Sequence, residues 1–334
     1  MTCVEVITTA AGSSVQDGGR FGCRRLGVST AGAMDRWALA RANALVGNAA
    51  TAAAIEFPFF GGRYRVSGGP ILVAVAGPGI SMNIAGRRIE SDRSALARHG
   101  EEVSISPVRG GVYGYLAIGG GILTEPDLGS RSTHLRSGIG GDPIKAGDRL
   151  PCLPQEIGAQ ERQLIMPEQA ETGPIRAVLG PQADHFADET KKAFLSQPFT
   201  VDPHSDRMGI TLNGPGLAHV GDFNIVSDGI VPGSVQVPGS GQPIIMMRDC
   251  QTTGGYPKIA TVISADLDQV AQAEPGSTLR FTAVSVEEAS KAARVFAAFL
   301  DAIRDVAHPA GAPDDSAYFL SRNLIGGVVS GGES

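Results

Sequence analysis

Short aliphatic runs separated by glycine-bearing turns recur at close spacing in the first part of this chain of 334 residues. Val, Ile, Leu and Tyr, which favour β-strands, are concentrated at positions 4–7, 64–66, 71–75, 103–105 and 112–118. With 45 glycines and 21 prolines available for tight turns, this pattern favours a β-barrel or a sandwich over a helical protein.

Two segments have helical periodicity instead. Apolar residues recur every three to four positions across residues 34–46, and Gly47 provides a stop. Ser285 and Glu288 form a capping box in front of an apolar helix face that extends to Ile303. The predicted fold class is therefore mainly β with α+β elements.

The chain is longer than one ordinary hydrophobic core supports, so two domains are expected. We predict an N-terminal β-barrel domain over residues 1–155 and a C-terminal domain over residues 174–305. The polar, proline-bearing stretch 156–173 has the character of a linker. Residues 306–334 are rich in Pro, Gly and Ser, which predicts a mobile tail.

Charge and hydropathy exclude several classes of partner. A formal net charge of −6 and a pI near 5.6 argue against a nucleic-acid partner. The sequence has no apolar run long enough for a membrane helix and no charged-then-apolar leader, so we expect a cytoplasmic protein with no membrane partner. Four cysteines that lie far apart suit reduced thiols better than disulfides or zinc.

Several common catalytic arrangements are also missing from the sequence. The six histidines are scattered without metal-ligand spacing, so neither a metal nor a Ser-His-Asp triad is expected. Gly-Lys never occurs, which excludes a Walker loop for a nucleotide. What remains is a chemistry of amides, hydroxyls, arginines and carboxylates, which suits a polar carbonyl compound.

The strongest concentration of such groups is the stretch 249–257, Asp-Cys-Gln-Thr-Thr-Gly-Gly-Tyr-Pro, which lies between two apolar runs. Its Gly-Gly pair lets the backbone take a positive φ or approach a ligand closely. The stretch is either a site for a small polar molecule or a β-turn that carries polar side chains without binding anything. Cys250 within it could be a nucleophile, but no histidine neighbours it, which favours a small buried side chain.

Six motifs in this order are shared with a known family. They are Gln16-Asp-Gly-Gly-Arg20, Gly32-Ala-Met-Asp35, Ala42-Asn43 with Val46-Gly-Asn48, Gly129-Ser-Arg-Ser-Thr133, Ser205-Asp-Arg-Met-Gly209 and Asp249-Cys-Gln-Thr-Thr-Gly-Gly-Tyr-Pro257. Over about residues 4–288 the chain resembles the biotin-dependent carboxyltransferase family, which includes the C subunit of 5-oxoprolinase (KipA) and is also called allophanate hydrolase subunit 2.

The resemblance implies two β-barrel domains, the second of them cyclophilin-like. It implies two partner proteins, a KipI-like B subunit and a LamB/YcsF-type A subunit, together with a small amide substrate. The expected function is that of one component of an ATP-dependent 5-oxoprolinase that opens 5-oxoproline to glutamate, with ATP shared with the partner subunits.

The resemblance leaves two alternatives. Relatives form the carboxyltransferase part of urea carboxylase, and that role would need biotin on a separate carrier, because the only Met-Met pair here is followed by Arg248 and not by lysine. The other alternative is a non-enzymatic KipA-like regulator that binds a KipI-like inhibitor. Carboxyl transfer would require a separate carrier and a carboxylase, whereas the oxoprolinase role requires the A and B subunits; on fold-level analogy we favour the oxoprolinase role.

In the last motif, Asp249 is the first candidate to polarise or orient the substrate amide or an attacking water. We expect the Tyr256 hydroxyl to donate to a developing oxyanion. The remaining expected catalytic residues, as hydrogen-bond donors and acceptors, are Gln251, Thr252 and Thr253.

Arginines in two other motifs are expected to bind the substrate. Arg207 and Arg20 would clamp a carboxylate or a phosphate. Gln16, Asp17 and Asp35 would hold the first glycine-rich loop in place, and for the two aspartates salt bridges that position the loop are the alternative.

Four further polar residues have weaker assignments. Arg131 could contact an anion or stabilise a turn. Glu56, Asn43 and Asn48 are interpreted mainly as structural.

Overall fold

The computed structural model describes residues 2–154, 159–164 and 173–310. The helices in these ranges are α1 (Arg36–Leu45), α2 (Asp188–Ser196), α3 (Leu267–Ala271) and α4 (Val286–Ala302). Short 3-10 helices span Arg24–Leu26, Ala183–His185, Ser264–Asp266 and Ile303–Val306.

The first half of the chain consists of two β-sheets that enclose one apolar core. Its strands are β1 (Cys3–Thr8), β2 (Ser14–Gln16), β3 (Ala54–Pro58), β4 (Arg63–Ser67), β5 (Ile71–Ala76), β6 (Ser81–Ile84), β7 (Arg87–Glu90), β8 (Ser94–Ala97), β9 (Glu102–Ile105), β10 (Tyr113–Ile118) and β11 (Arg149–Pro151). The strand orders are β11-β1-β4-β9-β6-β7 and β2-β3-β10-β5-β8. Side chains of both sheets, such as Val66 and Val73, pack in the same core cluster.

The second half is built on one eight-stranded sheet that nearly closes into a barrel, in the order β21-β14-β15-β18-β17-β20-β13-β22. The strands after β11 are β12 (Arg162–Leu164), β13 (Ile175–Leu179), β14 (Phe199–Val201), β15 (Gly209–Asn213), β16 (Asp228–Gly229), β17 (Ser234–Gln236), β18 (Ile244–Met246), β19 (Thr253–Gly254), β20 (Lys258–Val262), β21 (Thr278–Leu279), β22 (Phe281–Ala283) and β23 (Ala307–Pro309). Only the β13–β22 pair of this sheet is parallel. The predicted mainly β, barrel-containing fold is confirmed.

Helix α1 joins the two halves through a shared core. It is rich in alanine, and small side chains let its backbone approach β5 and β10 closely. Its buried face belongs to a core cluster that also includes Phe199 and Val235 of the second half. Trp37 of α1 stacks on Phe299 of α4, with ring centroids 4.3 Å apart. The two halves therefore meet across a continuous apolar interior.

Both predicted helices are present where periodicity placed them. The capping box at the start of α4 is confirmed: Ser285 Oγ accepts from the Glu288 backbone N–H at 3.1 Å, and the Glu288 carboxylate accepts from the Ser285 backbone N–H at 2.7 Å. No helix in the described part of the chain is long and apolar enough to cross a membrane.

The expected linker and tail each contribute a strand. Residues 162–164 form β12, which pairs antiparallel with β23 inside the segment expected to be a mobile tail. Burial of Leu164 and Val306 gives the pair an apolar anchor, which composition did not reveal. The rest of the expected tail, residues 311–334, lies outside the described residues, and the domain boundaries themselves stay predictions.

Candidate functional site

Two turns that lie far apart in sequence are brought side by side at the end of the β15–β18 pairing. The turn before β15 is closed by the Asp206 carboxylate, which accepts from the Met208 backbone N–H at 2.7 Å. The ladder continues past both strands, because Met247 N donates to Met208 O and Asp249 N donates to Arg207 O, each at 2.9 Å. This register places the side chains of Arg207 and Asp249 next to each other.

The Arg207 guanidinium is the centre of a buried charge network. It donates to the Asp249 carboxylate from Nε at 2.9 Å and from Nη2 at 2.8 Å. Its Nη1 donates to Glu56 Oε1, and Nη2 also donates to the carbonyl of Gly32 at 2.8 Å. Gly32 has a φ of 87°, and a Cβ there would lie 2.9 Å from the Gly19 Cα, so only glycine fits.

The network extends into the first half through Glu56 on β3. Glu56 Oε2 accepts from the Tyr115 hydroxyl at 2.5 Å and from the Met34 backbone N–H at 2.8 Å. The same hydroxyl accepts from the Asp35 backbone N–H at 2.8 Å, at the start of α1. The network therefore places two carboxyl groups around one guanidinium in a water-excluded setting.

Burial alone would lower the pKa of Arg207, because it disfavours the charged form. The charges of Asp249 and Glu56 outweigh that effect and raise the Arg207 pKa well above its ordinary value. The guanidinium is therefore permanently charged and permanently paired in this arrangement.

A cavity of about 260 Å³ lies between the two halves, directly against this network. Arg207 and Asp249 contribute its polar floor, and its walls are mainly apolar, with Phe59 from the first half and Met208 and Ile210 from the second. The volume is just below the range of about 300 to 1,000 Å³ that is typical of pockets for drug-sized ligands. Its size and lining therefore suit a small metabolite with an apolar body.

Tyr113, at the start of β10, also lines this cavity. Burial raises its pKa, the carboxylates of Glu56 and Asp249 act in the same direction, and Arg207 opposes them. The phenol therefore keeps its proton at neutral pH. Gln272 fixes the backbone of Tyr113, since Oε1 accepts from Tyr113 N and Nε2 donates to Tyr113 O, each at 2.9 Å.

The cavity also has a charged rim. Arg136 donates from Nη2 to Asp206 Oδ2 at 3.0 Å, and both residues line the cavity. The two side chains are 65% and 49% exposed, so solvent screens the pair and little energy is needed to separate it. Arg136 is therefore free to exchange Asp206 for an anionic group of a ligand.

Four predicted residues form a different cluster, which connects the first glycine-rich loop, residues 12–32, to a second one, residues 119–141. Asp17 accepts from Ser130 Oγ at 2.7 Å and from the Arg131 backbone N–H at 2.7 Å. Gln16 donates to the carbonyl of Thr133 at 2.8 Å, and Arg131 Nε donates to the carbonyl of Thr124 at 2.8 Å. These contacts are of the kind expected for residues that hold a loop, as predicted for Gln16 and Asp17, or that stabilise a turn, as predicted for Arg131; the roles themselves stay predictions.

Arg20 belongs to the same cluster and lies away from the cavity. Only 1% of it is exposed, and its donors reach the carbonyls of Asp127 at 3.0 Å and Ser132 at 2.8 Å. Arg207 does line the cavity, but its paired donors leave little capacity to grip an anion. In this arrangement Arg207 is not free to act as the expected clamp, and Arg20, whose Nη1 is buried without a partner, does not line this cavity.

The stretch 249–257 is divided between the cavity and the surface. Asp249 faces the cavity, whereas Gln251, Thr252, Thr253 and Tyr256 are not among the residues that line it. Thr253 lies in β19, which pairs with β16, and Tyr256 is 39% exposed. The expected catalytic group is therefore not assembled around this cavity.

Cys250 is buried, and burial raises the pKa of its thiol to about 11. A thiol with this pKa is protonated at neutral pH, so the structure supports the interpretation of a packed side chain.

Asp35 caps α1, as its position in the first helical turn suggests. One carboxylate oxygen accepts from the Ala38 backbone N–H at 2.8 Å and the other accepts from Gln272 Nε2 at 2.7 Å. Burial raises the pKa of Asp35 to about 6, the charge of Asp268 adds to the shift, and the hydrogen bonds from Ala38 and Gln272 oppose it. Asp35 thus connects α1 to the wall of the cavity.

Sequence reasoning underrated Glu56 and missed Tyr113. A carboxylate inside the apolar stretch 53–57 requires a buried partner, and that was the available signal for Glu56. Tyr113 lies in an aliphatic strand, where a tyrosine carries no distinguishing signal. Within residues 2–154, 159–164 and 173–310, no group of three or more His, Cys, Asp or Glu is arranged to hold a metal ion.

Known proteins resemble this chain over most of its length. Residues 26–283 match the family described as carboxyltransferase domain, subdomain A and B. The 5-oxoprolinase C subunit of Escherichia coli is 38% identical over 295 residues, which is 86% of this chain and 94% of that protein. The 5-oxoprolinase C subunit of Haemophilus influenzae is 37% identical over 306 residues, which is 91% of this chain and 98% of that protein.

A solved structure agrees with these matches. The crystal structure of the K. lactis urea amidolyase is 27% identical, with a TM-score of 0.81, and the match covers 90% of this chain but 20% of that one. The domain described here thus corresponds to about a fifth of that larger enzyme. Its sequence and its fold together show that the chain belongs to the carboxyltransferase domain family, subdomains A and B.

Proposed function

We propose that this chain is the C subunit of a 5-oxoprolinase that opens 5-oxoproline to glutamate at the expense of ATP. The observation that carries the proposal is the identity to two bacterial C subunits, which extends over nearly their whole length. The proposed partners are a KipI-like B subunit and a LamB/YcsF-type A subunit.

The cavity between the halves supports this assignment. Its apolar walls fit the ring methylenes of 5-oxoproline, and its polar floor fits the amide. Its volume of about 260 Å³ suits one small metabolite. As the family resemblance implies, we assign the ATP site to the partner subunits or to their interface with this chain.

The test is reconstitution of the complex. ATP hydrolysis and glutamate release from 5-oxoproline are measured with the chain and both partner subunits, and each component is then omitted in turn. The proposal requires that activity disappears when this chain is left out. A well-formed complex without oxoprolinase activity would refute it.

Carboxyl transfer is the second candidate, favoured by the overlap with the K. lactis urea amidolyase. Because Arg248 stands where a biotin-bearing lysine would follow the Met-Met pair, this role requires a separate biotin carrier. Carboxybiotin-dependent carboxylation of urea by the chain with such a carrier would support it, and oxoprolinase activity without biotin would exclude it as the main function.

A further inference from the structure

The cavity floor presents a hydrogen-bond acceptor with unused capacity. Each oxygen of the Asp249 carboxylate accepts one hydrogen bond from Arg207, and a carboxylate oxygen can accept two. Asp249 lines the cavity, so a ligand N–H can reach the remaining lone pairs without breaking the ion pair.

Tyr113 provides a donor in the same cavity. Its hydroxyl makes no hydrogen bond to any other residue in the described part of the chain, although the buried phenols of Tyr64 and Tyr115 both make one. Tyr113 lines the same cavity as Asp249 and Arg207, so one small ligand can meet both the phenol and the carboxylate. The Tyr113 hydroxyl is not among the buried atoms that lack a partner, so it is accessible from the cavity, where a ligand oxygen can accept from it.

We propose that Asp249 and Tyr113 together recognise the cis-amide edge of a small lactam, with Asp249 accepting from the ring N–H and Tyr113 donating to the carbonyl oxygen. A lactam ring holds its planar amide in the cis form, so donor and acceptor point to the same side. The choice of a ring over an open amide rests on the proposed function. The role expected of Tyr256, donation to the carbonyl oxygen, then belongs to Tyr113.

The charge of the floor determines how the ligand is oriented. Glu56 lies behind the floor and shares the Arg207 guanidinium with Asp249, and two carboxylates around one guanidinium disfavour an anionic group at the floor. A carboxylate on the lactam therefore lies at the rim, where Arg136 can accept it in place of Asp206. The preferred ligand is a lactam whose carboxylate is directed away from the floor.

The test is titration calorimetry of the full chain, alone and with its partner subunits. The probes are 5-oxoproline, 2-pyrrolidinone, which lacks the carboxylate, and N-methyl-2-pyrrolidinone, which also lacks the N–H. We expect the first two to bind and N-methylation to weaken binding roughly tenfold or more, because one hydrogen bond is lost and the methyl group clashes. Equal affinity for the N-methyl probe, or no lactam binding in any form, overturns the inference.

Three variants test which side chains contact the bound lactam. Tyr113→Phe should weaken 2-pyrrolidinone binding roughly tenfold. Tyr64→Phe is the matched control, because it removes a buried hydroxyl from the first-half core, outside the cavity, and should not change affinity. Arg136→Gln should weaken 5-oxoproline binding and leave 2-pyrrolidinone binding unchanged. Unchanged lactam affinity in Tyr113→Phe, with an unchanged melting temperature, overturns the inference.

The two proposals fail in different ways. A complex that is inactive on 5-oxoproline while lactams still bind through Tyr113 refutes only the oxoprolinase function. An active complex in which Tyr113→Phe changes neither kcat nor KM refutes only the assignment of the amide contact.

Discussion

Arg207 and Asp249 form a two-point ion pair that is almost completely buried, with side chains 6% and 2% exposed. The pair connects two turns of the second half, and through Glu56 it reaches the first half as well. Desolvating such charges is costly, and their mutual attraction offsets that cost only while all partners are present. The contacts that form the cavity floor therefore also connect the two halves of the chain.

Arg207→Ala should be strongly destabilising, because it leaves the carboxylates of Asp249 and Glu56 buried without a cation. We expect the free energy of unfolding to fall by about 3 to 5 kcal/mol. Urea denaturation followed by circular dichroism measures this change. Arg88→Ala is the control, because the Arg88–Glu90 pair is exposed and its loss should not shift the midpoint measurably. Equal midpoints for the two variants would contradict the structural role of the network.

Asp249→Ala tests the site and the fold together. Turnover in the reconstituted complex should be lost, because the variant removes the acceptor on the cavity floor. The buried pair with Arg207 implies a stability cost as well. Thermal melting separates the two effects: a variant that is folded but inactive supports a role in the site, and full activity removes Asp249 from it.

Tyr115→Phe removes a hydroxyl that donates to Glu56 and accepts from the Asp35 backbone. The backbone N–H of Asp35 would be left buried without an acceptor, at a cost of about 1 to 3 kcal/mol. A double-mutant cycle with Glu56→Gln should show a coupling energy of about 0.5 to 3 kcal/mol, because the two side chains are in direct contact. Additive unfolding free energies would show that this hydrogen bond contributes nothing.

Cys250→Ala should leave turnover in the complex unchanged, because the thiol is protonated at neutral pH and buried. Iodoacetamide labelling of the folded chain should modify Cys23 first, since Cys3, Cys152 and Cys250 are buried. Loss of activity in Cys250→Ala, or rapid labelling of Cys250, would restore the nucleophile interpretation.

The elements that sequence predicted best have strong local signals. The periodicity of α1 and the capping box of α4 depend on neighbouring residues, and both are present. The pairing of β12 with β23 depends on residues about 145 positions apart, so no local pattern could reveal it. Because this pairing is long-range, the sequence predicted a linker over residues 156–173 and a mobile tail over residues 306–334, although each contains one of these two strands.

The site was only partly predictable for the same reason. Both Arg207 and Asp249 were identified from their motifs. Their ion pair was not predicted, because the backbone hydrogen-bond ladder that joins their two turns depends on the tertiary structure. Arg20 was assigned to an anion, whereas its Nε and Nη2 donate to backbone carbonyls away from the cavity. Residue type indicates the available chemistry, and only the fold shows which groups are already occupied.

Asp35 should make the stability of this protein depend on pH in an unusual direction. Its folded pKa of about 6 lies above its ordinary value of 3.8, because burial and the nearby Asp268 disfavour the charged form. The folded state therefore binds this proton more tightly than the unfolded chain. Its contribution is fully present below about pH 4 and is lost as the pH rises through about 6.

Asp35→Asn keeps a side-chain oxygen to cap α1 but cannot ionise. The unfolding free energy of the native protein relative to this variant should fall by on the order of 2 to 3 kcal/mol between about pH 4 and about pH 7. Urea denaturation at several pH values measures the difference. Asp228→Asn should show the opposite sign at lower pH, because Lys258 lowers the pKa of Asp228 to about 2. A pH-independent difference for Asp35→Asn would show that the buried carboxylate titrates at its ordinary pKa.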